Sequence, residues 1–296
     1  MEYLLRSMLF VPGYQSKFIE SALQKQPDAI ILDFEDSVPA NLKQRARENV
    51  FEYVKKGCFK SIPTFIRLNQ SGDNVLEEDL KGPFSEDING FLLPKVTTAE
   101  DVLKYEKQIE NCETVNGLSK GWFRLLPLIE NAMAIENITE IAMASQRNMA
   151  LCFGGEDYLN DIRGVHGKVA KAFDYPRLRI VVAARAAGLQ PIDTPFLDFS
   201  DNREFMREQS ASYEMGFSGM LIVHPSQIPM ANECFMPSRS EIDKAMEIIR
   251  CIDTAQEEGA GIAIMNGKMI GPPMEKQARN ILHLKRLRDE KEGKEN

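Results

Sequence analysis

The segments Leu126–Glu130 (LPLIE) and Met149–Asp157 (MALCFGGED) decide how this chain folds. Each contains a short apolar run of strand length that stops abruptly at a carboxylate, and the stretch 132–146 between them has helical spacing. Paired parallel strands lie about 5 Å apart. If the two runs pair in this way, Glu130 and Asp157 emerge side by side at one edge of a sheet, which is a place to hold a divalent cation.

The same alternation of strand-like and helix-like segments extends along most of the chain, as is typical of parallel βα units. The other predicted strands are Ser7–Val11, Ala29–Leu32 followed by Asp33, Thr64–Arg67, Gly90–Leu93, Gln190–Asp193 and Gly219–Val223. Helices are predicted over 15–25, 42–56, 99–110, 177–187 and 201–214.

With the two central segments this pattern predicts eight strands, the number that closes an α/β fold into a (β/α)₈ TIM barrel. A doubly wound sheet is the alternative. It is disfavoured because no G-x-G-x-x-G sequence follows the first strand and because functional-looking residues follow many strands rather than one.

The pattern changes beyond about Pro237. Ser240–Asp243 has capping-box spacing and opens a predicted helix that runs to about Glu258. A glycine-rich segment over 259–273 and a last helix near 274–289 follow, before a charged tail. We therefore predict a barrel over 1–235 that carries the metal site, and a C-terminal helical extension or lid over 236–296.

Composition restricts the partners and the compartment. The net charge of -8 and the pI near 5.2 argue against nucleic acid or an anionic membrane as the main partner. The five cysteines are odd in number and far apart, which predicts reduced thiols rather than a disulfide framework or a zinc site. No apolar run reaches the roughly 18 residues of a membrane span, so we expect a cytoplasmic protein.

Active sites of TIM barrels gather where the strands end. The polar residues at those positions are Asp33, Glu35, Asp36, Arg67, Lys95, Glu130, Glu156, Asp157 and His224. So many carboxylates on one mouth repel one another unless a cation shares the site. Hard oxygen ligands with open water positions favour Mg²⁺.

Each of these residues also has a purely structural interpretation. A carboxylate at a strand end is often the N-cap of the next helix, which applies to Glu130 and more strongly to Asp157. Neutralisation of a structural carboxylate is the alternative role for Arg67. His224 suits a loop-fixing hydrogen bond as well as it suits catalysis. His166 and His283 are interpreted as surface or loop residues. The hypothesis of a metal site therefore rests on the whole set of residues.

Seven motifs, in this order, resemble the family of the citrate lyase β-subunit and malyl-CoA lyase over nearly the whole chain. They are Arg6–Gly13 (RSMLFVPG), Leu32–Val38 (LDFEDSV), Ile66–Asn69 (IRLN), Leu93–Val96 (LPKV), Leu126–Glu130 (LPLIE), Phe153–Asp157 (FGGED) and His224–Gln227 (HPSQ). The resemblance implies a barrel of the phosphoenolpyruvate/pyruvate class with a C-terminal extension, in homotrimers or hexamers. It also implies Mg²⁺-dependent cleavage of a citramalyl-, malyl- or citryl-type acyl thioester, carried by CoA or acyl carrier protein, into an acetyl thioester and a 2-oxo acid.

The resemblance also implies roles for individual residues. Glu130 and Asp157 are expected to ligate the metal, and Arg67 to hold the oxo or hydroxyl oxygen of the substrate. The backbone amides near Gly154, Gly155 and Glu156 are expected to hold the carboxylate of the 2-oxo acid. Lys17 and Arg6 are candidates for contacts with CoA phosphates. Glu35 and Asp36 are the remaining catalytic candidates.

One position departs from the pattern of the CoA-dependent members, whose C-terminal segment reads G-x-M-I-D. Here the segment is Gly267–Gly271 (GKMIG), so the aspartate that is thought to exchange a proton at the thioester α-carbon is missing. Glu35 or a metal-bound water is an alternative proton donor. Two other functions stay open: an aldolase-type lyase acting on a free 2-oxo or 2-hydroxy acid, and a catalytically attenuated binding or assembly protein.

Overall fold

The computed structural model describes residues 3–70, 74–165, 171–257, 259, 262–265 and 267–293. Within these ranges, eight parallel strands pair in chain order and the last pairs with the first, so that they close a barrel. The strands are β1 Ser7–Pro12, β2 Ala29–Asp33, β3 Thr64–Arg67, β4 Gly90–Leu93, β5 Arg124–Ile129, β6 Ala150–Phe153, β7 Gln190–Asp193 and β8 Gly219–Ile222. The predicted (β/α)₈ barrel is confirmed.

Helices follow the strands at the positions that a (β/α)₈ barrel requires. In the described part of the barrel they are α1 Ser16–Lys25, α2 Lys43–Lys55, α3 Asn74–Asp79, α4 Ala99–Val115, α5 Ala132–Glu136, α6 Ile138–Met143, α7 Gly155–Asp161, α8 Asp174–Ala186, α9 Asn202–Met215 and α10 Ile228–Cys234. The predicted helix over 132–146 is therefore two short helices, because the chain leaves helical geometry at Asn137.

Strand register brings the functional side chains to one level. Pro12 pairs with Asp33 and Asp33 pairs with Arg67 across β1, β2 and β3. On the other side of the barrel, Ile129 pairs with Phe153, so the residues that follow β5 and β6 leave the sheet together. The carboxyl ends of these strands therefore form one mouth.

The alternation of side chains along each strand separates two layers of the core. One set of buried residues packs under the helices, among them Leu9, Ile30, Ile66 and Leu151. The residues that alternate with them, such as Met8 and Leu126, are equally buried and point into the barrel. Side chains of this second set thus fill the barrel interior below the mouth.

The segment from Met236 onward forms a second compact unit, separate from Leu5–Phe235. It contains α11 Arg239–Glu257, β9 Ala263–Met265, β10 Lys268–Ile270 and α12 Pro272–Lys291. The antiparallel pair β9–β10 was not predicted, because glycines flank strands of only three residues. The core of this second unit is apolar, with Ile248 and Ile252 of α11 packed near Ile270 and Ala278.

The capping residue of α11 also differs from the prediction. Ser238, not Ser240, exchanges hydrogen bonds with Glu241: the Ser238 amide donates to the carboxylate at 2.8 Å, and the Glu241 amide donates to Ser238 Oγ at 3.2 Å. Among the helices of the described ranges, none is long and apolar enough to cross a membrane.

Candidate active site at the barrel mouth

Two carboxylates meet after β5 and β6. Glu130 is buried, and its Oε1 accepts a 2.5 Å hydrogen bond from the backbone amide of Lys95. Asp157 lies in the first turn of α7 and is partly exposed. The Lys95 ammonium lies 3.0 Å from Asp157 Oδ2 and 3.8 Å from Glu130 Oε1, so both carboxylates face the same position.

Neither carboxylate is a helix cap, so that structural interpretation is wrong for both. Asn131 caps α5 by accepting a hydrogen bond from the Ala134 amide at 2.8 Å. Gly154 is the N-cap of α7, which has no side-chain cap bond. The two carboxylates are therefore not needed to begin the helices that follow them.

Glycine at position 154 allows Glu130 to lie against the end of β6. A Cβ atom there would come within 2.6 Å of Glu130 Cβ and 2.9 Å of Glu130 Oε2. The Gly154 amide donates to Ile129 O at 2.9 Å, and the Gly155 amide donates to Thr194 Oγ1 at 2.9 Å. These bonds fix the turn from β6 into α7 and hold Asp157 beside Glu130.

Burial makes the charge of Glu130 expensive. Desolvation raises the pKa of Glu130 to about 8, and the negative charges of Glu35 and Asp157 add to this effect, although Lys95 opposes it. A buried carboxylate in this situation gains from a further positive charge. The oxygen donors of Glu130 and Asp157 suit a hard divalent cation.

Across the described ranges, no three His, Cys, Asp or Glu side chains come together as a metal-binding group. The site therefore offers two protein carboxylates. This number is sufficient for Mg²⁺, which usually keeps several waters and takes only one or two carboxylates from the protein.

A second charged cluster lies across the mouth, at the ends of β2 and β3. Arg67 donates from Nε and Nη2 to the two oxygens of Asp33, at 2.7 and 2.6 Å. Its Nη1 lies 3.0 Å from Glu35 Oε2 and 3.7 Å from Asp36 Oδ2. The guanidinium also stacks over Phe10 at 4.7 Å. Arg67 is thus held in one orientation by groups on three sides.

The carboxylates of this cluster respond to burial in opposite directions. Burial alone would raise the pKa of Asp33, but Arg67 and the hydrogen bonds from Ser37 and the Glu35 amide lower it overall. For Glu35, desolvation dominates and raises the pKa to about 7, with Arg67 opposing and Asp36 adding to the rise. Asp33 thus has a lowered pKa and orients Arg67, whereas the raised pKa of Glu35 suits it to exchange a proton near neutral pH.

The two clusters line one cavity of about 360 Å³, a size typical of small-molecule sites. Its walls are formed by Phe10, Asp33, Asp36, Ser37, Arg67, Leu128, Glu130, Gly154, Gly155, Glu156, Asp157, Thr194, Pro195, Leu221 and Val223. Carboxylates, one arginine and an apolar floor thus surround a space that suits a small oxygen-rich acid.

Comparison with known proteins identifies the family. Residues 6–225 match the model of the HpcH/HpaI aldolase/citrate lyase family. The chain belongs to this family. It is 32% identical to the citrate lyase subunit beta of Escherichia coli over 277 residues, covering 94% of this chain and 92% of that subunit. It is 31% identical to human mitochondrial citramalyl-CoA lyase over 289 residues, covering 94% and 85% of the two chains.

The fold of the family is found in solved structures as well. The Mycobacterium tuberculosis protein CitE, crystallised in complex with magnesium, acetoacetate and coenzyme A, superposes with a TM-score of 0.71 at 24% identity. The alignment covers 94% of this chain and 96% of that one. The resemblance noted from the sequence motifs is therefore confirmed at the level of family and fold.

The structure brings together most of the residues that the family motifs pointed to. Arg67, Asp36, Glu130, Asp157 and the 154–156 turn line the common cavity, and Glu35 contacts Arg67 at its edge. Lys17 lies on α1 as an exposed side chain, with its ammonium 4.9 Å from the centre of the Phe18 ring. Its contact with a CoA phosphate stays a prediction.

The prediction that Arg6 contacts the phosphates of CoA is wrong. Arg6 precedes β1, so it lies at the opposite end of the barrel from the mouth. Its side chain is buried and donates to both oxygens of Asp28, from Nε at 2.7 Å and Nη2 at 3.0 Å. Arg6 and Asp28 therefore form a structural ion pair, because active sites of TIM barrels lie at the carboxyl ends of the strands and this pair lies at the other end.

The structure describes two of the three histidines, His224 and His283, and places neither of them on the cavity wall. His224 accepts a hydrogen bond from the Ser226 amide at 3.2 Å and stacks on Phe199, which confirms the interpretation that it fixes a loop. His283 lies within α12, in the second unit. His166 lies outside the described residues.

Sequence reasoning missed three residues that shape the cavity of this family member. Thr194 follows β7 directly and anchors the Gly155 amide, so the strand-end rule applied to β7 would have found it. Ser37 donates from its hydroxyl and its amide to Asp33. Phe10 lies on an inward position of β1, but an apolar strand residue carries no sequence signal of this kind.

Proposed function

We propose that this protein is a Mg²⁺-dependent carbon–carbon lyase that cleaves a citramalyl-, malyl- or citryl-type acyl thioester into an acetyl thioester and a 2-oxo acid. The observation that carries the proposal is the presence, around one cavity, of a carboxylate pair and an arginine oriented by Asp33. The similar proteins named citrate lyase subunit beta and citramalyl-CoA lyase support the same reaction class.

In this proposal Glu130 and Asp157 hold the metal ion. The magnesium complexes of the M. tuberculosis protein support the choice of cation. When bound, the ion would polarise an oxygen of the substrate as a Lewis acid. Arg67 would direct Nη1 to the same oxygen and stabilise the charge that develops as the carbon–carbon bond breaks. Asp33 supports this role because it holds the other two nitrogens of the guanidinium.

Glu35 is the proposed site of proton transfer, with Asp36 beside it. Its pKa of about 7 suits a group that exchanges protons at neutral pH. It lies 3.0 Å from Arg67, so its proton is close to the oxygen that Arg67 would bind. In this proposal ionised Glu35 would take the proton of the substrate hydroxyl as the carbon–carbon bond breaks and return it to the α-carbon of the acetyl thioester. It would thereby take the place of the lid aspartate, which is absent because position 271 is glycine.

The turn over Gly154, Gly155 and Glu156 is the proposed binding region for the carboxylate of the 2-oxo acid. The amides of Gly154 and Gly155 already bond to Ile129 O and Thr194 Oγ1. Their part is therefore to shape the turn, and the next amides along α7 would face the anion. Lys17, exposed on α1, is the proposed contact for the phosphates of a CoA or acyl carrier protein thioester.

A second candidate is an aldolase-type lyase that acts on a free 2-oxo or 2-hydroxy acid. Gly271 favours this candidate, because a reaction without proton exchange at a thioester α-carbon needs no lid aspartate. An aspartate would fit at this position: among the described residues, and apart from its chain neighbours, a Cβ at position 271 would come within 4 Å only of Pro273 Cδ, at 3.6 Å. Substitution at this position therefore tests the chemistry without disturbing the backbone.

We also propose a cytoplasmic homotrimer or hexamer in which the segment from residue 236 acts as a lid. The family resemblance supports the oligomer. The five cysteines are all free thiols, which suits a reducing compartment.

The test is an assay of the purified parent and of Gly271→Asp with citramalyl-CoA, malyl-CoA and citryl-CoA, with Mg²⁺ and with EDTA, beside the corresponding free acids. We expect the parent to release a 2-oxo acid from at least one thioester in Mg²⁺ and to lose this activity in EDTA. Cleavage of only the free acids would select the aldolase. A parent that cleaves nothing, with activity appearing in Gly271→Asp, would contradict the proposal and leave a lyase scaffold with another role.

A further inference from the structure

Lys95 contacts both members of the carboxylate pair. Its ammonium lies 3.0 Å from Asp157 Oδ2 and 3.8 Å from Glu130 Oε1. Glu35 adds a third negative charge within interaction range. The side chain is about one-third exposed, so it has an open path away from the pair as well as a position between them.

The backbone conformation of Lys95 holds its side chain beside the two carboxylates. Its φ is +53°, in the left-handed region that a residue with a Cβ rarely adopts. The Lys95 amide donates a 2.5 Å hydrogen bond to Glu130 Oε1, the same oxygen that the ammonium approaches. Unfavourable backbone geometry of this kind persists where the surrounding contacts fix it, and such residues cluster at functional sites.

We propose that Lys95 is the internal counter-ion of the Glu130–Asp157 pair, that its ammonium and a divalent cation compete for the same two carboxylates, and that Lys95 therefore sets the metal affinity of the barrel. The inference rests on the metal site of the proposed function and adds a positioning residue to it. A cation held by these two carboxylates repels the ammonium, which must turn toward solvent as the cation binds. Without a metal ion, the ammonium occupies the position between the two carboxylates, 3.0 Å from Asp157 Oδ2 and 3.8 Å from Glu130 Oε1.

The test is Mn²⁺ titration of the metal-stripped full-length protein, followed by electron paramagnetic resonance of free Mn²⁺. Lys95→Met and Lys95→Gly both remove the competing charge, and Lys95→Gly also suits the left-handed backbone. We expect both to bind Mn²⁺ about tenfold more tightly or better, because a like charge a few ångströms from the cation is lost.

Two variants serve as matched controls. Lys95→Arg keeps the charge, and Lys104→Met removes an exposed lysine of α4 whose ammonium lies 3.4 Å from Asp101. Both should bind Mn²⁺ within about twofold of the parent. Lys95→Arg keeps the positive charge beside the two carboxylates, and Lys104→Met removes only an exposed pair, which contributes little. A second readout is the rise in melting temperature at saturating Mg²⁺, which should be larger in Lys95→Met than in the parent.

Equal or weaker Mn²⁺ binding by Lys95→Met and Lys95→Gly would overturn the inference. Glu130→Gln separates this result from a failure of the proposed function. If Glu130→Gln loses Mn²⁺ binding while the Lys95 variants match the parent, the metal site stands and the competition is wrong. If Glu130→Gln binds Mn²⁺ like the parent, the metal site and the inference are both wrong.

Discussion

Two buried arginine–aspartate pairs lie at opposite ends of neighbouring barrel strands, and the pair at the carboxyl ends lines the cavity of the barrel mouth. Arg6 and Asp28 precede β1 and β2, with hydrogen bonds of 2.7 and 3.0 Å between their side chains. Asp33 and Arg67 end β2 and β3, with hydrogen bonds of 2.7 and 2.6 Å. The pairs have the same residue types, similar burial and similar geometry.

The third guanidinium nitrogen distinguishes the two pairs. Nη1 of Arg6 donates to the carbonyl of Asn232 at 3.1 Å, so the whole guanidinium is used to join β1, β2 and α10. Nη1 of Arg67 instead lies beside Glu35 on the wall of the cavity. A buried arginine is therefore functional or structural according to the end of the strand it occupies and to the partner of its last nitrogen.

Matched substitution of the two arginines gives the largest expected contrast. Arg67→Lys keeps the charge but loses the planar guanidinium, which binds both oxygens of Asp33 and at the same time presents Nη1 at the cavity wall. We expect kcat to fall by about 10²–10³-fold, the usual effect of removing one preorganised donor to a developing charge. Steady-state kinetics of the purified variant measure this loss.

Arg6→Lys is the control for that experiment. It makes the same chemical change at the other end of the barrel, so the folded variant should keep the parent kcat and lose only thermal stability. A comparable loss of kcat in both variants would mean that the two pairs do not differ in function.

The pH dependence of stability sharpens the contrast between Asp33 and Glu35. The pKa of Glu35 is raised from 4.5 to about 7 by folding, so the folded state binds its proton more tightly than the unfolded state does. The free energy of unfolding should therefore decrease as pH rises from about 4.5 through 7. Asp33 has a lowered pKa and acts in the opposite direction, losing its contribution as pH falls below its usual range.

Urea unfolding of the parent and of Glu35→Gln at a series of pH values, all in EDTA, tests this prediction. The difference between the two free energies should grow with pH over that window, because the glutamine variant has no charge to bury. A constant difference across pH 4.5 to 7 would contradict the prediction, because it would mean that folding does not shift the pKa of Glu35.

Two serines offer the smallest expected effects. Ser37 Oγ donates to Asp33, whereas Ser7 Oγ donates to Asn232 Oδ1 at 2.7 Å and accepts from the Asp28 amide at 3.0 Å. Ser7→Ala should cost about 1–3 kcal/mol of unfolding free energy, because it leaves a buried amide without its acceptor, and should leave kcat unchanged. Ser37→Ala should lower kcat several-fold with a smaller loss of stability. A loss of kcat in Ser7→Ala but not in Ser37→Ala would mean that the residues before β1, and not those at the mouth, contribute to catalysis.

Much of the fold follows from the sequence alone. The bounds of β3, β4 and β7 agree with the prediction, because the runs end sharply: Thr64–Arg67 ends at a polar residue and Gly90–Leu93 ends before Pro94. Strand ends then locate the mouth, and Glu130, Asp157 and Arg67 were found by that rule. Arg6 was misplaced because it shares a motif with β1 but precedes the strand, and a resemblance between motifs does not distinguish the two ends.

The finer geometry of the site depends on information that a sequence does not display. The contact of Lys95 with both carboxylates requires its left-handed backbone and a side chain that spans two strand ends. The raised pKa of Glu35 depends on burial by residues distant in sequence. The hairpin β9–β10 was missed because its strands are too short for an alternating pattern to be recognised.

The role of Glu130 in holding the metal ion can be measured through the dependence of turnover on Mg²⁺ concentration, for the parent and for Glu130→Ala, with the thioester that the parent cleaves fastest. We expect a saturable Mg²⁺ requirement in the parent and a loss of about 10³-fold or more in Glu130→Ala, because Lewis-acid stabilisation contributes several kcal/mol to such reactions. A Glu130→Ala variant that keeps the rate and the Mg²⁺ dependence of the parent would contradict this role of Glu130.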